Sequence, residues 1–114
     1  MKTVGIIGGL GPETTSKFYL ELISLCQGKN VLGRPPILVF NVPITYAAER
    51  EEILNGAVKK ATMSLLVNAA QKLEKGGADF LVMPCNSLHI FIDELRGSVN
   101  IPVISIIEET TRVL

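Results

Sequence analysis

The chain has 114 residues, of which 47% are apolar and 19% charged, with 11 basic and 11 acidic side chains and a formal net charge of zero. That length supports one small domain with one real core, and the composition argues against disorder. No basic field exists to hold a nucleic-acid backbone or an anionic membrane, and the few aromatic residues are not interleaved with Arg or Lys, so base stacking has no support either.

The start, Met1-Lys2-Thr3, runs straight into Val4-Gly5-Ile6-Ile7. It is too short for a signal h-region and reads as a first strand, Thr3 to Ile7. The strand ends at Gly8-Gly9-Leu10-Gly11-Pro12, with Pro12 well placed at the first position of a helix, where its missing N–H costs nothing. Helix one follows to about Gln27. Phe18, Leu22 and Cys26, four apart, give it an apolar face with Tyr19 and Ile23 beside them. Gly28 is a plausible stop.

After the loop Gly33-Arg34-Pro35-Pro36, the continuous apolar run Ile37-Leu38-Val39-Phe40 reads as a strand buried on both faces. Residues 44–56 read as a loop with room for one helical turn, carrying Glu49, Arg50, Glu51 and Glu52. Helix two is expected from Ala57 to Lys75, with Val58, Ala61, Leu65, Ala69 and Leu73 as its stripe and Gly76-Gly77 ending it. Strand three is Phe80 to Met83, and helix three runs from Ser87 to about Arg96. Strand four is Val103 to Ile106. Ser105 and Glu108 have capping-box spacing for a fourth helix that has barely begun at Leu114.

The order βαβαβαβ(α) implies an α/β fold: a doubly wound four-stranded parallel sheet with helices on both faces and right-handed crossovers. No apolar run approaches membrane-spanning length. A domain rarely stops one turn into a helix, so the expectation is a piece of a larger protein.

Two places carry candidate chemistry. The first is the glycine loop, Gly8 to Thr14. Dinucleotide binding is poorly supported: Thr14 stands where the fingerprint needs a third small residue, and Asn41-Val42 stand where strand two should end in an acid. No Lys follows to make a Walker loop. What remains is a tight turn, or a backbone N–H cradle for a small anion at a helix N-terminus; the glycines, which let backbone approach a ligand closely, favour the cradle.

The second is Met83-Pro84-Cys85-Asn86-Ser87-Leu88-His89. A thiol, an amide and a hydroxyl follow the end of a strand, at the sheet edge where parallel α/β proteins bind ligands. A helix starting there would favour the thiolate. The plain alternative is a half-buried thiol with Asn86 or Ser87 merely capping the helix. His89 reads as structural, and Cys26 as core. Arg50 reads as part of a solvated face, although an Arg in the loop after strand two could clamp a carboxylate. Two cysteines make no disulfide framework, which suits a reducing cytoplasm, and a cysteine with the single His makes no four-ligand zinc site.

Three stretches together resemble one family: Gly5 to Pro12, Met83 to His89, and Ile101-Pro102-Val103-Ile104-Ser105-Ile106-Ile107-Glu108-Glu109-Thr110. The chain resembles, over its whole length, the aspartate racemase branch of the aspartate/glutamate racemase superfamily. The Asp-Ser-Gly signature that glutamate racemases carry after strand one is absent, with Gly8-Gly9-Leu10 in its place. The resemblance implies an enzyme without cofactor or metal, built from two α/β domains that each supply one cysteine to a shared cleft. One thiolate removes the α-proton of a small amino acid and the opposite thiol returns a proton to the other face. A free thiol ionises near pH 8.5, at about the point where it can serve in either role.

Carried over by residue, Cys85 matches the first-domain base or acid. Asn86 and Ser87 match its substrate-carboxylate contacts, and Gly9, Leu10 and Gly11 match the backbone loop around the site. Arg50 matches an Arg or polar residue that members carry in this loop at variable spacing. No second catalytic cysteine is present, since Cys26 lies in helix one. Residues 1–114 therefore resemble the N-terminal catalytic half, ending at the start of the inter-domain helix and lacking the C-terminal domain. Helix faces exposed in half a protein leave room for a homodimer. Another reaction on a small diacid (decarboxylation or cis–trans isomerisation) and non-catalytic binding of a small anion are the alternatives.

Overall fold

The structure, a computed structural model, describes residues 1–9, 11–28, 33–44, 56–84 and 91–104. Strand β1 is Val4–Gly8, followed by helix α1, Pro12–Gly28, and strand β2, Ile37–Asn41. Helix α2 is Gly56–Lys75, strand β3 Phe80–Val82, helix α3 Ile92–Ser98 and strand β4 Val103–Ile104. The strands form one parallel sheet in the order β2-β1-β3-β4.

Side-chain alternation along the two central strands sends one row to each face. Val4 and Ile6 of β1, with Phe80 and Val82 of β3, meet Phe18, Leu22 and Cys26 of α1. Ile7 and Leu81, with Met83 just beyond β3, meet Leu66, Ala69, Ala70 and Leu73 of α2 and Leu95 of α3. Helices therefore cover both faces, as the βα alternation predicts.

Pro12 is the first residue of α1, and Glu13 places a carboxylate in its first turn, where the helix dipole favours it. Phe18, Leu22 and Cys26 are buried as their spacing implies, so Cys26 is a core residue. Tyr19, expected beside this face, is 41% exposed instead.

The other end of the α/β unit is closed by glycine. Gly77 has φ +103°, its N–H donates to Glu74 O at 3.1 Å, and the Ala78 N–H donates to Leu73 O at 3.1 Å. This is a Schellman stop, with glycine supplying the left-handed residue. Asp79 then ties β3 to β1: its N–H donates to Thr3 O at 2.8 Å, and its carboxylate accepts from the Thr3 N–H at 2.7 Å. Arg96 at the end of α3 forks onto Val103 O through Nε at 3.2 Å and Nη2 at 3.0 Å, anchoring β4.

Three expectations need correction. Strand β2 is not buried on both faces; it is an edge of the sheet, with Val39 45% exposed and Asn41 exposed. The buried stripe of α2 is Thr62, Leu66, Ala69, Ala70 and Leu73, while Ala61 is exposed and Leu65 half-buried. From Ala61 onward the expected row steps by four and drifts around a helix of 3.6 residues per turn, whereas Thr62, Leu66, Ala69 and Leu73 step by four, three and four, with Ala70 beside them, and stay on one side. Val58, also assigned to that stripe, lies outside the described side chains. Helix α3 begins at Ile92, with Phe91 at its N-cap and no side-chain cap bond, and runs over Gly97 to Ser98. The expected start at Ser87 lies outside the described residues. Residues 85–90, and the expected end of strand four and fourth helix at 105–114, lie outside the described residues.

Candidate active site

The chain leaves β1 for β2 on one side and returns through α2 to β3 on the other. Between the carboxyl ends of β1 and β3 the strand order therefore reverses, and such a switch point is where open α/β sheets leave a crevice for ligands. Two segments frame it. One is the turn after Gly8. The other is Met83-Pro84, which continues in sequence into Cys85-Asn86-Ser87. With Ile6 paired to Val82, the register carries Gly8 and Pro84 to the same edge.

The turn is held from three directions. Gly8 O accepts the Val42 N–H at 2.8 Å, extending the β1–β2 ladder beyond the strands. The Gly9 N–H donates to Thr15 Oγ1 at 3.0 Å, and the same hydroxyl donates to Gly11 O at 3.4 Å. The Thr15 N–H also reaches Gly11 O, at 3.2 Å, as the first helical bond of α1. Two glycines are required here. Gly9 has φ +89°, and a Cβ on it would stand 3.2 Å from the Val42 nitrogen. A Cβ on Gly8 would stand 2.7 Å from Thr15 Cγ2.

The expected backbone cradle is thus narrower than the glycine pattern suggests. Gly9 shapes the turn but spends its N–H on Thr15. The groups left for a ligand are the Gly11 N–H, which bonds to no described residue, and the N–H groups of Glu13 and Thr14, which have no acceptor within the helix. All three lie at the positive end of α1, beside the Glu13 carboxylate, whose Oε2 lies 3.3 Å from where a Cβ on Gly11 would stand.

Thr15 is absent from the residues expected of this site. The signal for it is present in the sequence: residues 15, 18, 22 and 26 follow helical spacing, so a hydroxyl stands on the core-facing row at the end nearest the glycines. Thr15 is 8% exposed. Of the other expected site residues, Leu10, Arg50, Cys85, Asn86, Ser87 and His89 lie outside the described residues. A shallow groove of about 390 Å³, lined by Pro12, Thr15, Ser16, Tyr19, Leu20, Val39 and Asn41, flanks the turn. It lies between α1 and the edge strand β2 and takes no lining from β3. Among the described residues no cluster of three or more His, Cys, Asp or Glu is placed to hold a metal ion, and no helix is long and apolar enough to cross a membrane.

A parallel α/β sheet with a glycine turn braced against a helix N-terminus at its switch point defines a domain of the open α/β class. The chain belongs to the Asp/Glu/hydantoin racemase family, whose sequence pattern matches residues 7–114. It is 34% identical over 113 residues to the broad specificity amino-acid racemase RacX of Bacillus subtilis (strain 168), covering 96% of this chain and 48% of that protein. Among solved structures, an aspartate racemase homologue from Pyrococcus horikoshii OT3 superposes with a TM-score of 0.78 at 29% identity, over 92% of this chain and 45% of that one. The aspartate racemase of Picrophilus torridus gives a TM-score of 0.70 at 27% identity, over 92% and 43%. The chain therefore spans about half the length of the relatives it matches.

Proposed function

We propose that residues 1–114 form the N-terminal half of a two-domain, cofactor-independent amino-acid racemase of the cytoplasm, acting on aspartate or glutamate, with Cys85 as one of two opposed acid–base groups. The observation that carries this reading is the braced glycine turn at the carboxyl end of β1, set across the switch point from the strand that runs into Pro84-Cys85-Asn86-Ser87. Membership of the racemase family gives that juxtaposition its chemistry.

The substrate's α-carboxylate docks on the N–H groups of Gly11 and the first turn of α1, with Asn86, Ser87 and Arg50 as further donors. Cys85 as thiolate takes the Cα proton. The C–H electron pair passes into the carboxylate as an enediolate, whose charge the same donors stabilise. A thiol on the opposite face, supplied by the second half, then delivers its proton to Cα and becomes the thiolate. The products are the enantiomer and an enzyme with its proton moved from one sulfur to the other, so the reverse reaction uses the roles exchanged.

The name of the Bacillus subtilis relative, which describes broad specificity, favours a second substrate reading in which the side chain is loosely recognised. Racemisation of L-aspartate, L-glutamate and neutral amino acids by the two-domain protein and by the 114-residue chain tests the proposal. Turnover is expected only in the two-domain protein; clear turnover by the 114-residue chain would show that no second half is needed.

A further inference from the structure

We infer that Thr15 is a positioning residue of this site, a reading that rests on the proposed carboxylate docking. Its hydroxyl holds the glycine turn in the conformation that receives the substrate. Both capacities of the hydroxyl are used: Oγ1 accepts the Gly9 N–H at 3.0 Å and donates to Gly11 O at 3.4 Å, so one side chain clasps the residues on either side of position 10. The methyl fills the space left by the missing Cβ of Gly8, where an added carbon would stand 2.7 Å from Cγ2. Thr15 also sits on the buried row of α1 with Phe18, Leu22 and Cys26, so the turn is referenced to the core rather than to solvent. Gly11, one end of the clasp, carries the N–H available to a ligand. Thr15 touches no substrate in this arrangement; it acts through the backbone it holds.

Two substitutions separate the hydroxyl from the methyl. Thr15→Val keeps the shape and removes both hydrogen bonds; Thr15→Ser keeps the hydroxyl and removes the methyl. In the 114-residue chain, amide hydrogen exchange at Gly9 is expected to speed up about fivefold or more in Thr15→Val and to stay near wild type in Thr15→Ser, with the β1 and β3 core amides unchanged in both. Titration of the same chain with L-aspartate, followed by the amide shifts of Gly9 and Gly11, is expected to show about fivefold weaker binding for Thr15→Val and recovery in Thr15→Ser. In the two-domain protein the loss falls on KM more than on kcat. Unchanged Gly9 exchange in Thr15→Val would overturn the clasp. Wild-type affinity in Thr15→Val, or no aspartate shift at Gly9 and Gly11 in the wild-type chain, would overturn the positioning role. Neither result bears on racemisation by the two-domain protein, whose absence would instead sink the proposed function and leave the exchange and binding results standing.

Discussion

Replacing Cys85 by Ser in the two-domain protein is expected to lower kcat for aspartate racemisation by about 10²–10⁴-fold, the range over which a positioned acid–base group contributes. A hydroxyl is too weak an acid at neutral pH to supply the corresponding alkoxide, so the change removes the base with little alteration of shape. Aspartate affinity should change far less, because in the proposed mechanism the carboxylate is held by backbone N–H groups and by Asn86 and Ser87 rather than by the thiol. Initial rates in both directions, measured by circular dichroism or by chiral chromatography, check this, with ligand binding measured on the same preparation. A variant that bound and turned over normally would remove Cys85 from the mechanism. One that lost binding together with rate would make it a structural thiol.

The second large effect is on stability. Gly5→Val should destabilise the 114-residue chain by about 3 kcal/mol, the upper part of the range for overpacking a tight core. A Cβ on Gly5 would stand 2.6 Å from Leu81 Cδ2 and 2.9 Å from Ala78 Cβ, with Leu73 Cβ at 3.4 Å. Leu81 can turn aside, but Ala78 Cβ is attached directly to backbone locked by the Schellman bonds and cannot. The missing side chain is what lets α2 and its terminal turn settle against β1. Gly97 is the contrast, since it is helical and a Cβ there meets nothing within 4 Å. Gly97→Ala should stabilise by about 0.5–1 kcal/mol. Urea unfolding of the two variants and the wild type checks the pair, and a Gly5→Val midpoint near wild type would mean that the close approach is relieved at little cost.

The βα alternation and the glycine stops are legible in the sequence because they rest on local chemistry. Pro12 fits only a first helical turn, and Gly77 supplies a conformation that other residues resist. The row Phe18, Leu22, Cys26 is legible because three apolar residues at one spacing leave little choice of face. What is not legible depends on neighbours distant in the chain. Ile37 to Phe40 reads alike at a sheet's centre or its edge, because an apolar run does not record how many strands flank it. The stripe of α2 differs from its expected position because its most buried residue nearest the site is Thr62, a polar residue that a search for apolar spacing passes over. Thr15 escapes notice for the same reason. The glycine turn itself can be recognised from sequence, but the cost of bracing it, namely the Gly9 N–H, is visible only in the fold.

Two-sulfur racemisation requires a proton to leave one face of Cα and another to arrive on the opposite face. Running the reaction on L-aspartate in D2O, with the two-domain protein, and measuring Cα deuterium separately in each enantiomer at low conversion tests this most directly. The mechanism predicts D-aspartate labelled at Cα while the remaining L-aspartate is still largely unlabelled, because the acid that protonates the product face carries solvent deuterium. Equal labelling of both enantiomers from the outset would indicate a single base, and racemisation with no labelling at all would mean that Cα receives back the hydrogen it lost, which two opposed sulfurs cannot do.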